Sequence, residues 1–155
     1  MSETEISEAQ KSQLALLNEK VGRWLAEIWG SYEVDADGDR FLSVGPNRVW
    51  VTCAPFGDDG TVVTLSNLIL IDVQPTAELN SFIAYENGNY LFGRLSLVSL
   101  PDSGGAVAVS FDQALLGDYL DLEELKTAVG VVGVIGEEIG NDMQVRFGGR
   151  HFYSE

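Results

Sequence analysis

The sequence predicts an α+β protein of one domain, residues 1–155, with an antiparallel sheet packed against helices in the order α-βββ(β)-α-ββ-α. Apolar residues recur at helical spacing near both ends of the chain. Between those ends lies a block rich in β-branched and aromatic residues, cut at short intervals by turn signals. The length of 155 residues, with 45% apolar and 21% charged residues, suits a single core of ordinary size and not a disordered chain.

From Glu5 to Trp29, the residues Leu14, Leu17, Val21, Trp24, Leu25 and Ile28 fall three and four apart. That spacing predicts a long amphipathic first helix, with Ser7 or Thr4 placed to cap it and Gly30 to stop it. From Tyr32 to Val73 the turn signals are Asp37-Gly38-Asp39, Gly45-Pro46-Asn47 and Gly57-Asp58-Asp59-Gly60. They divide the block into strands near 32–36, 40–44, 48–56 and 61–72. In the third strand Val49, Val51 and Cys53 face one way and Trp50, Thr52 and Ala54 the other. The run Leu68-Ile69-Leu70-Ile71 is apolar on both faces, as in a central strand covered on two sides.

Thr76 is placed to cap a second, shorter helix carrying Leu79, Phe82 and Ile83, which Asn87-Gly88-Asn89 ends. Strands near 91–100 and 105–112 then form a hairpin about Pro101-Asp102-Ser103-Gly104-Gly105. A last helix is predicted from about Asp121 to Ile139, with Asp121 as cap and Glu124 three residues later. It carries Gly130, Gly133, Gly136 and Gly140, although each interior glycine costs about 0.5–1 kcal/mol against alanine. The glycines at every third position, with Val129, Val132 and Ile135 beside them, make a strip that another backbone can approach closely. Two readings stay open for it: a dimer interface through Val129, Gly130, Val132, Gly133 and Gly136, or close packing onto the protein's own sheet. The tail, Gln144 to Tyr153, reads as a final strand or an ordered extension.

Little in the chain marks catalysis. The one histidine, His151, stands near the C-terminus, and the one cysteine, Cys53, sits within an apolar strand where a thiol behaves as a small hydrophobe. No disulfide can form within the chain, and a zinc site lacks ligands. No catalytic residue, metal or cofactor is therefore assigned. Asp35-Ala36-Asp37-Gly38-Asp39 suggests a calcium loop, but Arg40 stands where glycine is needed and Pro46 where glutamate is needed. A hairpin turn is the better reading of those three carboxylates. Neither Gly45-Pro46-Asn47-Arg48 nor the span Gly130 to Gly136 follows a strand and opens a helix, as a phosphate-binding loop would.

With 24 acidic and 9 basic residues, the net charge is −15, which argues against nucleic acid or anionic membrane as partners; it either favours a basic partner or serves only to keep the protein soluble. Met1 to Glu5 lack the basic start and apolar run of a signal peptide, and no apolar stretch reaches the roughly 18–20 residues of a membrane span. A cytoplasmic protein is expected.

The order of elements, with the amphipathic first helix leading into Tyr32-Glu33-Val34-Asp35, resembles the type III secretion chaperones and the YbjN group. The likeness extends through Asn67-Leu68-Ile69-Leu70-Ile71-Asp72-Val73, the helix Glu78 to Asn87, and Phe92-Gly93-Arg94-Leu95-Ser96-Leu97. It is most like actinobacterial members described as peptide-binding chaperones, and it covers about residues 6–142, leaving 143–155 as a C-terminal extension. The resemblance implies an acidic, non-catalytic protein, often a homodimer, binding extended segments of a protein or peptide client. Candidate contact residues are Trp24, Trp29, Trp50, Phe56 and Tyr90, each with burial in the core as its competing reading. The contrasting hypothesis is a small-ligand protein or enzyme built on a carboxylate cleft, whose sign would be a deep pocket holding two close, unequal carboxylates.

Overall fold

The computed structural model describes residues 5–153, so Thr4, one of the two expected caps, lies outside the described residues. Helix α1 spans Glu8–Trp29. Ser7 caps it, its hydroxyl accepting from the Gln10 amide at 3.1 Å, which satisfies one of the first-turn donors that no helical carbonyl can reach. Gln10 itself is buried, and its side-chain amide donates to the carbonyls of Gly57 and Gly60. That ties the start of α1 to a hairpin turn of the sheet. Leu17, Val21 and Leu25, four apart, form its buried stripe.

The sheet is fully antiparallel with strand order β1-β2-β3-β4-β6-β5. Its strands are β1 (Glu33–Val34), β2 (Arg40–Val44), β3 (Asn47–Phe56), β4 (Gly60–Val73), β5 (Arg94–Ser99) and β6 (Val107–Leu116). β4 is central, as its apolar run predicts. On one of its faces Val63, Leu65, Asn67 and Ile69 are buried, while Val62, Thr64, Ser66 and Leu68 on the other are only half-buried. Helix α2 (Ala77–Glu86) separates β4 from the β5–β6 hairpin, with Thr76 accepting from the Leu79 amide at its start. Asn87 at its end binds β5 reciprocally: its amide donates to the Leu95 carbonyl, and its carbonyl accepts from the Leu95 N–H.

Helix α3 (Leu122–Phe147) lies across the buried face. Asp121 caps it, accepting from the Glu124 amide at 2.7 Å. The helix runs eight residues past its expected end at Ile139, and absorbs the first part of the expected tail. The physical reason is that Gly140 packs on Ile69 within the regular helix. The actual stop is Gly148, at φ 77°. The core joins Leu17, Val21 and Leu25 of α1, Val63, Leu65 and Ile69 of β4, and Val129 and Val132 of α3. Each such side chain contributes about 1.5–3 kcal/mol on burial.

Candidate functional site

The two strands at one edge of the sheet are unequal in length. β5 begins at Arg94, opposite Asp112, whereas β6 continues to Leu116. Gln113–Leu116 therefore pair with β4 on one side, and no strand among the described residues pairs with them on the other. Gly93 causes the mismatch. Its φ is 82°, and a Cβ there would run into the Phe111 ring, so the chain turns away from β6 at a position only glycine fits. The turn leaves Phe92 54% exposed, facing α3 across a groove of about 420 Å³.

Gln113 and Leu115 line this groove from the sheet, and Thr127, Ala128 and Val131 line it from α3. Asp121, Glu123 and Glu124 stand at the same groove, in and just before the first turn of α3, where acidic groups also suit the helix dipole. The Gln113 Oε1 is buried and has no hydrogen-bond partner among the described residues. Leaving such an acceptor unpaired costs about 1–3 kcal/mol. The arrangement offers free main-chain groups along a strand edge, an apolar trough beside them, and negative charge at the rim.

The five aromatic residues singled out from sequence lie apart from one another. Trp24, Trp29 and Tyr90 pack partly buried against the core. Tyr90 meets Phe111 edge to face at 5.5 Å, and burial, reinforced by the Glu86 and Asp142 charges, pushes its hydroxyl pKa up. Trp50 is half-buried on β3, donating from Nε1 to Asp35 at 3.0 Å. Phe56, at the end of β3, is 56% exposed. None of the five lines the groove, whose aromatic wall is Phe92. Sequence reasoning placed Phe92 inside the following strand; the signal against that was Gly93 directly after it.

The glycine strip resolves toward the protein's own sheet. Val129 and Val132 are fully buried within the protomer. A Cβ on Gly133 would collide with Val44, and one on Gly136 with the Asn67 amide. These four residues, for which a dimer interface and packing on the protein's own sheet were both open, thus hold α3 down on β2 and β4 and are buried within the protomer. Of the five, Gly130 alone faces open space, with nothing within 4 Å of where a Cβ would stand.

The aspartate turn is organised by Asp35. Its Oδ1 accepts from the amides of Asp37 and Asp39, and its Oδ2 from Trp50. The backbone bond from Asp39 is the main cause that holds its carboxyl below the usual range. No cluster of three metal-ligating side chains occurs among the described residues. Burial pushes the half-buried Cys53 thiol up, partly opposed by the Arg40 charge. His151 lines a small pocket with Glu137 and Asn141, away from the groove.

No curated protein matches the sequence significantly. Several solved chains share the fold. A chain of the ExsC–ExsE complex superposes with a TM-score of 0.55 at 18% identity, covering 79% of this chain and 92% of that one. YbjN from E. coli gives a TM-score of 0.57 at 14% identity, covering 83% of this chain and 91% of that one. A family model described as T3SS (YopN, CesT) and YbjN peptide-binding chaperone 1 matches residues 15–155. Sequence and fold thus agree, and the chain belongs to the TY-Chap1 family of type III secretion and YbjN peptide-binding chaperones.

Proposed function

We propose that this protein is a non-catalytic, chaperone-like module that binds an extended segment of a partner protein along the free edge of β6. The observation that carries the reading is the edge Gln113–Leu116, with which no strand among the described residues pairs on that side, beside the apolar groove that Gln113 and Leu115 line. A strand laid there gains main-chain hydrogen bonds from the edge, and its alternate side chains enter the trough. The family description supports a peptide as ligand, and the ExsC–ExsE complex is a protein complex on the same fold.

The client segment is basic. Asp121, Glu123 and Glu124 stand at the groove, and the whole chain carries −15, so cationic residues flanking the apolar ones are drawn in. The same charge repels nucleic acid and anionic lipid. No helix of the described residues is long and apolar enough to cross a membrane. We place the protein in the cytoplasm and take its working form as a homodimer. That dimer uses surface other than Val129, Val132, Gly133 and Gly136.

The test is affinity capture from native lysate with the unmodified chain and with Thr127→Arg in parallel, followed by titration of the captured partner's segments as synthetic peptides. Thr127 is exposed on the wall of the groove, so arginine there fills the trough and leaves the core alone. We expect binding to weaken by about tenfold or more, a loss of ~1.4 kcal/mol or more. A partner held equally well by both chains would place its site elsewhere. Light scattering on the 16.8 kDa chain tests the dimer directly.

A further inference from the structure

The last described residues are bound as a peptide would be bound. β3 pairs with β4 only from Ser66 downward, where Trp50 faces Ser66, so the same edge of β4 is vacant of β3 from Asn67 to Val73. Arg150 fills part of that gap. The Ile71 N–H donates to the Arg150 carbonyl at 2.9 Å, and the Arg150 N–H returns a bond to the Ile71 carbonyl at 3.0 Å. The Arg150 guanidinium donates to Asp72 at 2.6 Å, both side chains being exposed. Phe152 and Tyr153 then lie against Trp50, with ring centroids 6.1 and 6.2 Å away, and Arg48 stands 4.6 Å over the Tyr153 ring.

The segment hangs on two glycines, Gly148 at φ 77° and Gly149 at φ 80°. A Cβ on Gly149 would approach the Ile71 carbonyl to 2.7 Å, so glycine is what lets the chain reach β4. The hold includes the Ile71–Arg150 bridge, an exposed ion pair, two half-buried rings, the Arg48–Tyr153 contact and a bond from the Gln144 side-chain amide to the Gly149 carbonyl. The tether adds an effective concentration in the millimolar range.

We propose that the β4 edge at Ile71–Asp72, with Trp50 and Arg48 beside it, is a second peptide site, held by the chain's own tail and open to a partner segment in which arginine is followed two and three residues later by aromatic rings. This site lies on a different strand edge from the β6 groove and stands or falls independently of it. Asp72 selects the arginine, the Ile71 main chain sets the register, and Trp50 takes the rings.

The experiment uses the full chain carrying Arg150→Asp and Phe152→Ala, which undocks the tail without shortening the protein. A fluorescent synthetic peptide of residues 149–155 is titrated into this variant and into the unmodified chain, with the same peptide bearing both substitutions as control. We expect the native peptide to bind the variant at least about tenfold more tightly than the unmodified chain, because no tethered competitor remains. The control peptide should bind neither. Equal binding to both chains, or equal binding of both peptides, overturns the proposal. Should the variant fail to fold, the ¹⁵N-labelled unmodified chain decides. Resonances of Arg150–Tyr153 should move to unstructured positions as unlabelled peptide reaches ~10 mM, above the tethered concentration. Resonances that stay fixed overturn it. A dimer of the unmodified chain that the peptide splits would also overturn it, in favour of tail exchange between two copies.

Discussion

Asp35 shows how much a single side chain can settle. Three groups donate to its two oxygens, which join the turn between β1 and β2 to Trp50 of β3. Its pKa is depressed on folding, so it contributes stability above the ordinary carboxylate pKa and loses that contribution as pH falls through the depressed value. Asp35→Ala should therefore unfold at lower urea than the parent at pH 7, and the gap should close as the pH falls below the ordinary carboxylate range. A gap that stays constant with pH would mean that the carboxylate charge is not involved. This turn was legible from the sequence because three aspartates around Gly38 have few other uses in a tight turn. Gln113 was not legible: nothing local tells an ordinary strand glutamine from one whose carbonyl is buried without a partner. Whether that carbonyl finds a partner is decided by tertiary packing and not by propensity.

At the scale of the element, α3 carries a contrast that can be measured. Gly136 lies against Asn67, whose buried amide donates to the Val132 carbonyl at 3.0 Å, whereas Gly130 faces open space. Gly136→Ala should cost about 1–3 kcal/mol through overpacking. Gly130→Ala should stabilise by ~0.5–1 kcal/mol through helix propensity. Urea denaturation of the two variants reads both signs. A Gly130→Ala chain less stable than the parent would show that this position contacts something in solution. The start of α3 was legible because a cap is a local device, as Asp121 and Glu124 show. Its end was not, because a glycine stops a helix only where the chain is free to take a positive φ. Gly140 is held by Ile69 and continues; Gly148 is free and stops. The direction in which the glycine strip faces was likewise decided by the sheet beneath it.

For the whole molecule, charge governs approach. With −15 on 155 residues, association with a cationic segment is steered, and the steering fades as salt shortens the screening length from about 10 Å at 0.1 M to 3 Å at 1 M. Stopped-flow association of the captured client segment should slow by roughly tenfold over that range, with a much smaller change in dissociation. A rate indifferent to salt would argue for an uncharged client. Order of elements and class of fold were legible at this scale because periodicity and turns report the chain's own plan. The edge proposed to meet a partner arises from two strands of different length, which no periodicity records.

The open edge of β6 has a further cost when no client is present. An unpaired strand edge is a template for any other strand, including the same edge of a neighbouring copy, and stacking of that kind is how sheets begin to aggregate. Here the exposed template is four residues long and is followed at once by the 3-10 turn Gly117–Tyr119, with carboxylates on the helix start beside it. Two empty molecules approaching edge to edge bring like charge against like charge. The acidity that we propose draws a basic segment in would also keep unoccupied copies apart, so one surface would serve both selectivity and colloidal stability.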